Sequence, residues 1–185
     1  MATIENWDEI NAAAREIYAM LLGRFQTDKG AHVGTLVSAA ARLAGSSLLR
    51  SFEFFRNQNV APGNVLLSDE ANEEWPKLMN MTLSILKKNK VDVDPNKMIM
   101  KAPAAHAPRS GILEMQAEYQ EAYFQIANKH HLDYYQAAFA GAIASAIVIL
   151  QTHSAVDPQI TCGIAAMGFV EGSKTMPAPL PKNDH

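Results

Sequence analysis

One long segment of this chain is almost without charge, and it constrains the fold more than any other feature. From Tyr134 to Val170 the single formally charged residue is Asp157. Within it, the stretch "AAFAGAIASAIVIL" has a helical period that places large apolar side chains on one side and alanine, glycine and serine on the other. A helix with no solvated face must be covered on both sides, by the same chain or by a second copy, so the segment predicts a central or interface helix of an all-α domain.

The rest of the chain divides into helical segments separated by turns. Asn6 and Glu9 have the spacing of a capping box before the first helix, and Pro76 should interrupt the third, because the residue before a proline avoids helical geometry. We therefore expect an all-α, single-domain bundle of about six helices over residues 1–185, with charge-poor, small-residue-rich helices at its centre. Periodicity and capping residues predict the helices over residues 7–25, 31–56, 76–89, 111–130, 134–153 and 158–172.

The predicted helix over residues 31–56 carries five polar side chains in one narrow line, which we call the polar stripe. A ridge of glycine and alanine beside it would let another helix approach closely. Small-residue faces of this kind predict a homo-oligomer, most simply a twofold symmetric dimer. The polar stripe consists of Thr35, Ser38, Arg42, Ser46 and Glu53.

Charge and cysteine content indicate the compartment. The net charge of −3 provides no general attraction to nucleic acid or anionic lipid, so neither is an expected partner. Cys162 is the single cysteine, which excludes an intrachain disulfide, and the N-terminal residues are acidic where an export signal needs basic ones. Residues 134–156 are long enough to cross a bilayer but are diluted by polar side chains. We expect a cytoplasmic protein with no membrane span.

Three apparent motifs fail on closer inspection. "GFVEGSKT" at 168–175 resembles a phosphate-binding loop, but Ser173 replaces its second glycine and a helix precedes it, so we interpret Gly172 as a helix end. "DVDPN" at 92–96 resembles a calcium loop, but Lys97 and Pro103 replace the required glycine and glutamate. A third set of residues has the phase of a solvated helix face rather than of a carboxylate site, namely Glu114, Glu118 and Glu121. No metal or cofactor is predicted.

The strongest candidates for ligand binding lie in residues 91–110, a long irregular connection within an acidic protein. Its later part is basic, and Lys101, His106 and Arg109 could contact an anionic ligand or a partner. His130 lies on the apolar stripe of its helix, where a hydrogen-bonded core histidine is the simplest interpretation, and His153 ends the long apolar helix. A metal site shared by these two histidines and Cys162 is not favoured, since zinc-type spacings are absent.

Two functional hypotheses follow. The leading one is a noncatalytic cytoplasmic binding or assembly module whose basic loop recognises a protein or a small anion. The alternative is a small-ligand carrier or helical enzyme with a pocket among the apolar helices, using His130, His153 or Arg109 as its polar groups. The proline-rich segment 176–185 is expected to be a flexible tail.

Overall fold

The computed structural model describes residues 6–28, 30–57 and 59–180 of the chain. As predicted, the fold is an all-α bundle. Two short 3₁₀ helices accompany the main helices, one directly after α2 over Glu53–Asn57 and one over Pro95–Lys97. The main helices, numbered in chain order, are α1 (Trp7–Phe25), α2 (Val33–Ser51), α3 (Asp69–Lys88), α4 (Ile112–Lys129), α5 (Tyr134–Thr152) and α6 (Pro158–Lys174).

Helix α2 is the centre of the bundle. Every residue from Gly34 to Arg50 is buried, including the two arginines of the helix. Helices α5 and α6 pack along two sides of α2 and scarcely touch each other, while α4 contacts it more locally. The prediction of a charge-poor central helix is confirmed, and α2 rather than α5 has the most neighbours.

Helix α5 is also enclosed within the chain. It lies between α2 and the pair formed by α1 and α3. Its length and hydropathy would suffice for a membrane span, yet 67% of its most apolar window is buried inside the bundle. The two packed faces seen in the sequence are thus covered by helices of the same chain.

The small residues of α2 and α6 allow these helices to cross at close range. A Cβ atom added at Gly172 would overlap the carbonyl oxygen of Arg42 and lie 2.8 Å from the Cα atom of Gly45. Gly172 therefore packs against α2 within a helix that continues to Lys174, and the prediction that it ends the helix is wrong. Glycine is needed at this position because α2 and α6 approach each other closely, and not because the helix stops there.

Two local predictions at other helices are also wrong. Asn6 has left-handed backbone angles, with φ 71°, and its side chain makes no capping bond, so the capping box with Glu9 does not form. Pro76 lies inside a continuous α3, because buried residues on its C-terminal side, such as Leu78 and Leu86, hold the helix against the bundle. Tertiary packing outweighs the hydrogen bond that the proline removes.

Both irregular segments lie on the body of the protein. The connection 91–110, which we call the crossover loop, crosses the ends of α2 and α6, and its Ile99 N–H donates to the carbonyl of Gln159. The segment Met176–Leu180, which we call the tail segment, pairs through Met176 with Gly63 and Asn64, and its Pro177 is buried. The predicted flexible tail is thus docked over its first five residues, and 181–185 lie outside the described residues.

Candidate functional site

The crossover loop is attached to the first half of the polar stripe of α2. The ring of His32 lies 3.0 Å from the carbonyl oxygen of Ala105, and the N–H of Arg109 donates to Thr35 Oγ1 at 3.1 Å. Two turns further, Arg42 Nη1 donates to the carbonyl of Ser110 at 2.5 Å. The polar stripe therefore supplies the partners that an irregular loop needs for its backbone groups.

A cleft of about 340 Å³ opens between this loop, α2 and α6. Its walls are mostly apolar, with Met100 and Ala102 from the loop and Ile164 and Met167 from α6. Met167 is 37% exposed, a large fraction for an apolar side chain on an otherwise buried helix. A concave, largely apolar site of this size can enclose a small organic molecule.

The polar groups of the cleft are few. Ser38 and Arg42 come from the polar stripe, Lys101 from the crossover loop, and Glu171 from the last turns of α6. Arg42 Nε donates to Glu171 Oε2 at 2.6 Å, and the side chains are 10% and 38% exposed. Because this pair is internally neutralised, exposed Lys101 is left as the uncompensated charge of the cleft lining.

The other predicted loop residues are close to the cleft but do not line it. The carbonyl of His106 rests on Gly34, at a place where any Cβ atom would overlap it. Arg109 contacts α2 through its backbone N–H. These two residues fix the path of the loop, and the structure brings only Lys101 of the predicted trio into the cleft lining.

His130 forms a charged, hydrogen-bonded cluster with two acidic side chains of α1, and its own side chain is 11% exposed. Its Nδ1 lies 2.7 Å from Glu9 Oε2 and its Nε2 lies 3.0 Å from Glu16 Oε1. The hydrogen bond with Glu9, helped by Glu16, raises the pKa of His130 despite partial desolvation. Lys129 and then His130 lower the pKa of Glu16.

Neither His153 nor Cys162 belongs to the cleft. The ring of His153 contacts the carbonyl of Leu150 at 2.7 Å, at the exposed end of α5. Cys162 is buried, and this burial raises the pKa of its thiol to about 12, so that it stays protonated. The described part of the chain contains no cluster of three or more His, Cys, Asp or Glu side chains arranged to hold a metal ion.

Sequence reasoning identified part of this site. The polar stripe included Ser38 and Arg42, and the basic loop included Lys101, but nothing in their spacing connected the two sets. Glu171 was not among the predicted site residues. Its pairing with Arg42 spans 129 positions of sequence, a separation at which local periodicity carries no information.

Comparisons of the chain with protein-family models, with curated proteins and with solved structures find no match.

Proposed function

We propose that this protein is a noncatalytic, cytoplasmic binding protein that holds a small amphipathic anion in the cleft between α2, α6 and the crossover loop. The observation that carries the proposal is the uncompensated charge of Lys101 at the edge of a concave, mostly apolar surface. The neutral Arg42–Glu171 pair and Ser38 provide further polar contacts.

The chemistry of the lining favours a ligand with two parts. Met100, Ile164 and Met167 would cover an apolar body, such as a ring or a short acyl chain. Methionine side chains adapt to irregular shapes, so this lining suits a range of bodies better than one exact fit. The anionic group would then face Lys101, with the Arg42 guanidinium close by.

Binding without catalysis is the function that these groups support best. General acid–base chemistry needs a titratable group near the substrate, and the cleft lining includes none of the three predicted histidines. Its one carboxylate, Glu171, is engaged by Arg42. The alternative hypothesis, a pocket that uses His130, His153 or Arg109 as its polar groups, gains no support from this cleft, because none of the three lines it.

If the protein forms a dimer, its interface must be a surface other than the small-residue face of α2 on which the prediction rested. The small residues of α2 approach α6 and α5 within the chain, as shown by Gly45 against Gly172 and Gly141 against Ala44. A homodimer therefore remains a separate proposal, and light scattering over a range of protein concentrations tests it. A constant monomer mass would refute it.

Binding in the cleft can be tested with two fluorescent probes that have the same apolar ring system. 8-Anilinonaphthalene-1-sulfonate carries an anionic group, and N-phenyl-1-naphthylamine lacks it. We expect saturable binding of both, with Lys101→Gln weakening the sulfonate probe by roughly fivefold, as for the loss of about 1 kcal/mol of charge interaction. Binding of the neutral probe should be unchanged.

Two further variants separate the cleft from general surface effects. Lys97→Gln removes a charge from the same loop outside the cleft and should leave both affinities unchanged. Met167→Ser should weaken both probes, because it removes apolar lining. Equal effects of Lys97→Gln and Lys101→Gln, or no effect of Met167→Ser, would mean that the probes bind elsewhere.

A further inference from the structure

The second arginine of α2 points to another binding site. Arg50 is two turns beyond Arg42 and only 7% exposed. Unlike Arg42, it forms no ion pair with any carboxylate in the described part of the chain, and burial lowers the pKa of its guanidinium. A buried charge without a counter-ion is costly to a fold and calls for a specific explanation.

The surroundings of Arg50 are aromatic rings and neutral oxygen atoms. Its Cζ atom lies 5.6 Å from the ring centroid of Phe55 and 5.5 Å from that of Phe124. Its Nη2 donates to Gln120 Oε1 at 3.1 Å and to the carbonyl of Ala178 at 2.6 Å. Cation–π contacts and amide dipoles thus compensate part of the lost hydration, without neutralising the charge.

Hydrogen-bonding capacity is left over at this place. Arg50 Nε and Gln116 Oε1 are both buried, and neither has a hydrogen-bond partner among the described residues. The other amide atom of Gln116 donates to Ser46 Oγ at 2.6 Å, which fixes the side chain one turn along the same interface. Buried polar atoms are nearly always satisfied in folded proteins, so each of these two unpaired atoms calls for an explanation.

The geometry of a guanidinium group indicates which kind of ligand group would accept its free hydrogen bonds. Nε–H and one N–H of Nη2 point in the same direction, and this edge holds a carboxylate through two parallel hydrogen bonds. In Arg50 the Nη2 group donates to two neutral oxygens, Gln120 Oε1 and the Ala178 carbonyl, while Nε is unpaired. A carboxylate that displaced one of these neutral oxygens would satisfy both donors of the edge and supply a charge.

The tail segment carries that carbonyl. Met176 is bonded through its N–H to Asn64 and through its carbonyl to Gly63, both at 2.8 Å. Leu180, further along, packs partly against the core. The contact with Arg50 thus belongs to a segment outside the helices, so its withdrawal would break no hydrogen bond within a helix.

We propose that Arg50 forms a second binding site, which accepts the carboxylate of a small aromatic or branched organic acid when the tail segment withdraws. The carboxylate bonds the Nε and Nη2 edge of Arg50, and the apolar body lies near Phe55 and Phe124. The tail segment competes with the ligand for this edge through the Ala178 carbonyl.

NMR of the arginine side chains of the full chain tests this site directly. Benzoate is the probe, and neutral benzamide, with the same ring, is its control. We expect a saturable downfield shift of the Arg50 Nε–H signal with benzoate, together with shifts of the Ala178 and Leu180 amide signals. The Arg42 Nε–H signal reports the first cleft separately, and Lys101→Gln, which weakens that cleft, should leave the Arg50 response unchanged. Assignment uses Arg50→Lys.

A tail variant makes the competition measurable. Leu180→Ser weakens docking of the tail segment without removing any group that contacts Arg50, and it should tighten benzoate binding by roughly fivefold, since the competent state becomes more populated. Leu67→Ser, at an 84% exposed site, is the matched control and should have no effect. The proposal is overturned if benzoate does not shift Arg50 Nε–H, if chloride or benzamide shifts it equally, or if Leu180→Ser leaves the affinity unchanged.

Discussion

Arg42 and Arg50 lie two turns apart on the same side of α2, and their exposures are nearly equal, 8% and 7%. Arg42 faces a carboxylate from α6 and a loop carbonyl, whereas Arg50 faces a glutamine, the tail segment and two rings. One arginine is compensated, and the other is not. The difference shows that burial alone does not determine the role of an arginine. The same residue type at the same depth can stabilise the fold through an ion pair or remain without a counter-ion.

Energetics separate the two positions in the same way. A buried cation with its carboxylate is destabilising to break, since removal of one partner leaves the other charge without compensation. A buried cation without a carboxylate adds little stability, and a hydrophobic side chain of similar size can replace it at small cost. We therefore expect Arg42 to contribute to stability and Arg50 to contribute to binding.

The largest loss of stability is expected from a substitution that disturbs the surroundings of both arginines. Gly172→Ala places a methyl group against the carbonyl of Arg42 and against Gly45, between the two arginines, and pushes α6 and the tail segment away from α2. We expect the free energy of unfolding to fall by about 3 kcal/mol, because neither backbone can yield locally. Urea denaturation measures the loss.

A matched glycine distinguishes this clash from a general effect of substitution. Gly23 lies in α1 with nothing within 4 Å of an added Cβ atom. Gly23→Ala should raise the free energy of unfolding by up to about 1 kcal/mol, as expected for an exposed helical position. If both variants changed stability alike, the close crossing of α2 and α6 would not be a determinant of the fold.

The next effect concerns the compensated arginine. Arg42→Met removes the bonds to Glu171 and to the Ser110 carbonyl, and should lower the free energy of unfolding by about 1.5 kcal/mol, discounted because Glu171 is partly hydrated. A double-mutant cycle with Glu171→Gln should give a coupling of about 1 kcal/mol. A coupling near zero would show that the pair adds no stability and would place Arg42 on the same footing as Arg50.

A smaller effect is expected at the uncompensated arginine. Arg50→Met keeps an apolar chain beside Phe55 and Phe124 and removes the buried charge, while Gln120 and Ala178 lose their donor. These opposite changes should leave the free energy of unfolding within about 1 kcal/mol of the parent and above that of Arg42→Met. The same urea measurement applies. A loss greater than that of Arg42→Met would identify Arg50 as a structural residue.

Helices were predictable from this sequence because their signals are local. Apolar spacing located α1 and α4, and Asp157 with Pro158 located the start of α6, where Asp157 caps the helix as expected. Pro76 and Gly172 led to wrong predictions. Each residue type commonly interrupts or ends a helix, but whether it does so depends on packing. The contacts that keep one helix continuous and require the other glycine come from distant segments.

The candidate sites were less predictable for the same physical reason. Lys101 was identified by its charge in an irregular loop, and the polar stripe by its helical phase. The bonds of Arg50 to Gln120 and Ala178 cross 70 and 128 positions. Sequence patterns show that a side chain is polar, but only the fold shows whether its partner is an acid, an amide or nothing.

The smallest effect on the free energy of unfolding is expected at His130, a cation whose charge is lost as the pH rises. His130 is paired with Glu9 and Glu16, and its raised pKa means that its stabilisation is fully present below about 6.5, the ordinary value, and is lost as pH rises through the folded-state pKa. Glu16, whose pKa is lowered, contributes above about 4.5 and loses its contribution in stronger acid. His130→Gln should therefore be less stable than the parent near about pH 5.5, with the difference shrinking towards about pH 8.5. Urea titrations at both values measure this. A difference that is independent of pH would show that the ring stabilises the cluster by packing, so that His130, unlike Arg42, would owe nothing to its charge.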